Sequence, residues 1–220
     1  MHIFLHGFLG AKEDWDEIVK QLDVPYRCLT LPGHGGTPLN LDLLEKEIQE
    51  KVTLVGYSLG GRLAIQFAHT FPERVEKLIL LSINPGLETG LLERIEQDEK
   101  WATLLEEKGI DHFLEKWYEQ PLFASLKIDQ KLLERRKNHD PHMLAKVLRT
   151  LSPAKLPNLW PELENFSFPL LFLFGEDDIK YKLTGKRLEK KFLVKWIPKS
   201  GHAVHLENPN GCASFILNNQ

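Results

Sequence analysis

Five residues restrict this chain more than any others: Gly56-Tyr57-Ser58-Leu59-Gly60. They follow the apolar run Val52-Thr53-Leu54-Val55 and lead directly into Gly61-Arg62-Leu63-Ala64-Ile65-Gln66-Phe67-Ala68, a helical pattern closed by Pro72. A serine between two glycines at a strand-to-helix junction marks a sharp, strained turn that exposes the hydroxyl at the end of a sheet. Both flanking positions lack side chains where neighbouring backbones approach. A parallel strand must lie before such a turn and a helix after it, so the reading is α/β.

The rest of the chain agrees. Short apolar runs at Ile3–Leu5, Arg27–Leu31, Lys77–Ser82, Leu170–Phe174 and Phe192–Ile197 alternate with helical patterns near Asp14–Leu22, Leu41–Glu50 and Pro209–Leu217. Continuous apolar strands separated by helices indicate a parallel sheet covered on both faces, and right-handed crossovers make it doubly wound. From about Gly86 to Lys155 the alternation stops. Leu91, Leu92, Ile95, Trp101, Leu104 and Leu105 have helical spacing, and no strand pattern intervenes. We therefore expect a core of residues 1–85 and 156–220 carrying a helical lid of residues 86–155, since insertions at strand ends commonly cover a site.

Composition removes several function classes. Of 220 residues, 28 are Lys or Arg and 31 are Asp or Glu, a net charge of −3 with no basic footprint for nucleic acid. No apolar run reaches the ~18–20 residues that cross a bilayer. The segment Met1-His2-Ile3-Phe4-Leu5 lacks the length and basic flank of a signal peptide. Cys28 and Cys212 form neither a disulfide framework nor a metal spacing, which suits a reducing, cytoplasmic setting. A monomer without cofactor or metal is the expectation. The lysines 180, 182, 186, 190 and 191 read as a solvated helix face.

A serine hydroxyl is a weak nucleophile or base until an imidazole takes its proton and a carboxylate orients that imidazole. Both follow strand ends here. Gly175-Glu176-Asp177-Asp178 comes after Leu170–Phe174, and Ser200-Gly201-His202 comes after Phe192–Ile197. The order serine, acid, histidine is the one such a turn requires. Charge on a bound oxygen would be met by the Leu59 N–H and, after the His6-Gly7 pair, by that of Phe8. His6 and His34 read as structural histidines, and His139 and His142 as the exposed start of a helix.

With these motifs the chain resembles the α/β-hydrolase superfamily over nearly its whole length. Within it, the chain is similar to the 2-succinyl-6-hydroxy-2,4-cyclohexadiene-1-carboxylate synthases of menaquinone biosynthesis. The residues that carry this are Arg62 after the Gly-Ser-Gly turn, Arg94-Ile95-Glu96-Gln97-Asp98, Trp117-Tyr118-Glu119-Gln120-Pro121, Arg136-Lys137-Asn138 and Gly201-His202-Ala203-Val204-His205. The resemblance singles out Asp178 among the three neighbouring acids. It also implies a sheet of about six strands in the order 2-1-3-4-5-6, without the N-terminal hairpin common in the superfamily.

The implied reaction is unusual for a serine triad. Ser58, activated by His202, would remove a proton conjugated with a ketone, and an enolpyruvyl group would leave as pyruvate. Arg62, Arg94 and Arg136 would hold the carboxylates of a small polycarboxylate substrate, with Tyr57, Trp117 and Tyr118 beside them. Two other readings use the same residues. An esterase, thioesterase or carbon–carbon hydrolase needs the triad but not several arginines. A non-catalytic binding member of the fold needs no triad.

Overall fold

The computed structural model describes residues 1–217. In chain order the elements are β1 (His2–Leu5), α1 (Asp16–Val19), β2 (Tyr26–Leu29), α2 (Leu43–Glu47), β3 (Val52–Tyr57), α3 (Leu59–Thr70), β4 (Val75–Leu81), α4 (Leu91–Tyr118), α5 (Gln130–Lys137), α6 (Pro141–Thr150), β5 (Leu170–Gly175), α7 (Lys182–Leu188), β6 (Leu193–Ile197), α8 (Val204–Glu207) and α9 (Pro209–Leu217). The strands form one six-stranded sheet, β2-β1-β3-β4-β5-β6, in which every pairing is parallel. This is the α/β architecture and strand order expected.

Side chains alternate across a strand, and here both sides are covered. Leu78 and Leu80 of β4 join Ile3, Leu5, Leu54, Phe172 and Phe174 on one face. Ile79 and Leu81 join Phe4, Val55, Leu171 and Leu173 on the other. The central strands are apolar at successive positions for this reason.

Two predicted helices are shorter than their patterns. Asp14–Leu22 becomes a 3-10 turn at Lys12–Trp15 followed by the single turn α1, and Leu41–Glu50 contracts to α2. Helices this short are not stable alone. They are held by packing, through Trp15 and Ile18, both wholly buried, and through buried Leu44.

Helices α4, α5 and α6 occupy the connection between β4 and β5. The long α4 is bent at Gly109, whose φ of 75° departs from helical backbone. Asp129 and Asp140 begin α5 and α6 by accepting hydrogen bonds from Leu132 N (2.8 Å) and Met143 N (2.9 Å). These helices enclose their own apolar cluster, with Phe113, Leu114, Leu144 and Leu148 at its centre. From the loop after β1 come the buried Leu9 and the partly buried Phe8.

The turn between β3 and α3 shows why its glycines are required. A Cβ on Gly60 would lie 2.3 Å from the carbonyl oxygen of His6, and one on Gly56 would lie 2.6 Å from Gly61 Cα. Both contacts are with backbone, which cannot move aside as a side chain can. Ser58 itself has φ 49° and ψ −112°, a strained conformation for a residue other than glycine.

Candidate active site

Three strand ends meet at one cavity of about 190 Å³, which Ser58, His202 and the helical insertion border together. Ser58 follows β3, Asp178 follows β5, and His202 follows β6. The His202 Nδ1–H donates to Asp178 Oδ2 at 3.0 Å, which leaves Nε2 as the acceptor facing Ser58 Oγ at 3.4 Å. Asp178 and His202 are both almost fully buried. Asp178 is fixed in turn by the backbone N–H of Tyr181, which donates to Oδ1 at 3.1 Å. The neighbouring Asp177 is exposed. The Tyr181 ring stacks on His202 with centroids 4.7 Å apart.

Phe8 and Leu59 border the same cavity. Leu59 is the first residue of α3, so its N–H has no acceptor within the helix. A Cβ on Gly7 would stand 3.4 Å from the Cβ of Ser58, so the loop carrying Phe8 runs directly beside the serine. The aligned peptides of α3 add partial positive charge at this end. An anionic oxygen near Ser58 Oγ would therefore meet a field suited to it.

All three expected arginines border the cavity, in three electrostatic states. Arg62 is buried, and its Nη2–H donates to the Tyr181 hydroxyl at 3.4 Å. Among the described residues it has no carboxylate within ion-pair distance. Burial lowers its pKa, although Tyr181 and Asp98 oppose that change. Arg94 points its Nε–H at Asp98, 2.9 Å from each oxygen, so its charge is partly met. Arg136 is fully engaged. Its two terminal nitrogens donate to Asp14 at 3.1 and 2.7 Å, and its Nε–H donates to the Tyr118 hydroxyl at 3.2 Å. Arg135 also reaches Asp14, at 3.3 Å. The cavity thus offers Arg62 as a cation awaiting a partner, whereas Arg136 already has one.

Aromatic rings form the wall on the insertion side. Trp117 packs on Phe8 at 5.1 Å and on Phe113 at 5.2 Å, and Tyr118 meets Phe123 at 5.3 Å. Tyr57 lies under His202 and His205, with centroids 5.4 and 4.1 Å away. Trp101, Tyr181, Asp14 and Lys180 also line the site without having been singled out in the sequence for it. Lys180 is exposed, as expected of the lysine patch, and also stands at the cavity rim. Tyr181 is signalled only by lying three residues after Asp178.

The histidines bring one correction. His139 is not on an exposed helix start: it is buried, its Nε2–H donates to the Leu9 carbonyl at 3.0 Å, and its Nδ1 accepts from Gly35 N at 3.1 Å. His142 is exposed. His6 is structural as read, with Nδ1–H on the Gly7 carbonyl and Nε2 accepting from Leu31 N. Among the described residues no group of three or more His, Cys, Asp or Glu is arranged to hold a metal.

His205 has the plainest consequence for stability. It is wholly enclosed between Trp15 and Tyr57, neither ring nitrogen has a hydrogen-bond partner among the described residues, and burial lowers its pKa to about 3. In the unfolded chain it would titrate near 6.5. The unfolded state therefore takes up the proton first as pH falls, and stability drops below about pH 6.5. His205→Phe keeps the stacked ring and removes the titration. Between pH 7 and pH 5 the parent chain should lose about 2 kcal/mol more unfolding free energy than this variant. Equal losses in urea titrations at the two pH values would show that His205 does not stay neutral in the fold.

Comparison with known proteins agrees with the geometry. The family model described as "Alpha/beta hydrolase family" matches residues 3–215. The chain is 33% identical over 231 residues to 2-succinyl-6-hydroxy-2,4-cyclohexadiene-1-carboxylate synthase of Enterobacter sp. (strain 638), covering 97% of this chain and 89% of that one. It is 32% identical over 247 residues to the chloroplastic protein PHYLLO of Arabidopsis thaliana, covering 94% of this chain but only 14% of that much longer protein. The solved structure of MenH from S. aureus superposes with a TM-score of 0.89 at 31% identity, covering 99% of this chain and 91% of the other. Among the described residues no helix is long and apolar enough to cross a membrane. A strained serine backed by His202 and Asp178, on a parallel sheet matched from end to end, leads to one conclusion: the chain belongs to the α/β-hydrolase family and, within it, to the 2-succinyl-6-hydroxy-2,4-cyclohexadiene-1-carboxylate synthases.

Proposed function

We propose that this enzyme eliminates pyruvate from 2-succinyl-5-enolpyruvyl-6-hydroxy-3-cyclohexene-1-carboxylate, giving 2-succinyl-6-hydroxy-2,4-cyclohexadiene-1-carboxylate for menaquinone synthesis. One observation supports the reading most: a serine triad shares its cavity with Arg62, a buried guanidinium with no carboxylate partner among the described residues. A buried cation is costly without an anion, and a carboxylate-bearing substrate supplies one. A neutral ester does not.

His202 takes the proton of Ser58, and the serine oxygen removes the acidic proton conjugated with the succinyl ketone. The electron pair moves onto the ketone oxygen, where the Phe8 and Leu59 N–H groups lower the energy of the enolate. Collapse of the enolate expels the enolpyruvyl oxygen with its bonding pair, and proton uptake by that fragment yields pyruvate. No acyl-enzyme forms and no water attacks.

Purified protein given the enolpyruvyl substrate should release pyruvate and the conjugated diene in one-to-one ratio, and it should turn over simple aryl esters orders of magnitude more slowly. Rapid ester hydrolysis with an acyl group trapped on Ser58, and no pyruvate, would establish a hydrolase instead. Arg62→Ala should lower kcat/KM by an amount equivalent to about 2–5 kcal/mol. Arg62→Lys should recover little of it, because an ammonium cannot form the bidentate pair. Arg94→Ala should cost less, since Asp98 already satisfies part of that side chain.

A further inference from the structure

The loop that carries Phe8 does not hold its shape unaided. Leu9 has φ 62°, the left-handed region that a leucine adopts only when its surroundings enforce it. Gly10 N–H closes the turn on the Gly7 carbonyl at 2.9 Å. What enforces Leu9 comes from the helical insertion. Its side chain is enclosed in the cluster of Phe113, Leu114, Leu144 and Leu148, and its carbonyl accepts the His139 Nε2–H at 3.0 Å. The other ring nitrogen accepts the Gly35 N–H at 3.1 Å. These two bonds fix the imidazole as one neutral tautomer joining three segments: the loop after β1, the loop after β2, and the α5–α6 corner. Burial acts in the same direction, disfavouring a charged ring.

We infer that His139 is a positioning residue for the reaction: by gripping the Leu9 carbonyl from the insertion, it holds the adjoining Phe8 N–H where charge develops beside Ser58. The inference rests on Phe8 acting as a charge-binding donor. It assigns to the insertion a part in the chemical step as well as in enclosing substrate. A residue that only fills space would serve equally well as leucine. One that orients a donor would need its own donor and acceptor.

The test compares His139→Leu with His139→Asn and His139→Gln, whose amides each supply both a donor group and an acceptor. Two rates are read: pyruvate release from the enolpyruvyl substrate, and phosphonylation of Ser58 by a fluorophosphonate, which also places negative charge beside the serine. His139→Leu should lower kcat about ten- to a hundredfold with KM within about threefold, less than outright removal of an oxyanion donor. Phosphonylation should slow by a similar factor, and at least one amide variant should recover most of both rates. If His139→Leu does not fold, as judged by thermal unfolding, His139→Ala takes its place. Unchanged kcat and labelling, or a change confined to KM, would overturn the inference. So would failure of both amide variants to recover while folded. Labelling that responds to His139 in a wild-type protein releasing no pyruvate would reject the proposed substrate and leave the positioning role standing.

Discussion

Asp178→Asn should reduce kcat for pyruvate release by about 10⁴-fold, and Asp177→Asn should leave it within a few-fold. Asp178 accepts the Nδ1–H of His202, so the imidazole presents Nε2 to Ser58 as a base. An asparagine at that position can offer an N–H instead, which favours the tautomer protonated on the wrong nitrogen. The backbone bond from Tyr181 N persists, so the loop keeps its shape and the loss is chemical. Ser58→Ala and His202→Ala should each be as damaging, and combining them should add little, as three side chains acting as one unit require. Steady-state assays with circular dichroism of each variant decide the matter. A larger loss in Asp177→Asn than in Asp178→Asn would reassign the acid.

Asp14→Ala should destabilise the fold by about 3–5 kcal/mol, the usual cost of stripping one partner from a buried ion pair. Asp14 is buried between Arg135 and Arg136, and the Arg136 side chain is only 4% exposed. Burial alone would raise the Asp14 carboxyl; the adjacent Arg136 guanidinium outweighs it, and the net shift is downward. A carboxylate with a lowered folded pKa stabilises fully above its unfolded value near 4 and loses that contribution as pH falls further. Urea unfolding at pH 7 should therefore show the full deficit, and acid titration below pH 4 should narrow the gap between variant and parent. A deficit under about 1 kcal/mol at pH 7 would mean that water replaces the lost carboxylate.

What the sequence makes legible is the chemistry that neighbours in the chain impose. The Gly56–Gly60 turn needs its strand and its helix within a few residues, and both are present in the pattern. Asp178 and His202 each stand just past a strand, so the topology brings them to Ser58. Strand order is less local, and resemblance to a family supplies it. The short α1 and α2 have convincing periodicity over longer spans, but tertiary packing ends them early. His139 is illegible for a different reason: its partners Leu9 and Gly35 lie in loops more than a hundred residues away. Resemblance to a family marks Arg136 as a cavity residue, yet nothing near Asp14 in sequence announces that the two will pair. Local pattern and family resemblance together point to the residues that meet at the cavity; distant contacts decide which cations remain available to a substrate.

The placement of α4, α5 and α6 within a single connection has a consequence for how such a fold can change. Loop-closure entropy rises only with the logarithm of loop length, about 0.6 kcal/mol for each doubling. The β4–β5 pairing, from Leu78 with Leu170 to Leu81 with Leu173, is therefore little affected by how much chain runs between the strands. A different helical unit can occupy that connection at small thermodynamic cost to the sheet, and the triad at its strand ends stays assembled. Among the contacts that limit the exchange are Arg136 on Asp14 and His139 on the Leu9 carbonyl. A replacement that leaves them unmade would strand a buried carboxylate and release the loop beside the serine, so specificity in this architecture can drift freely only among insertions that restore both.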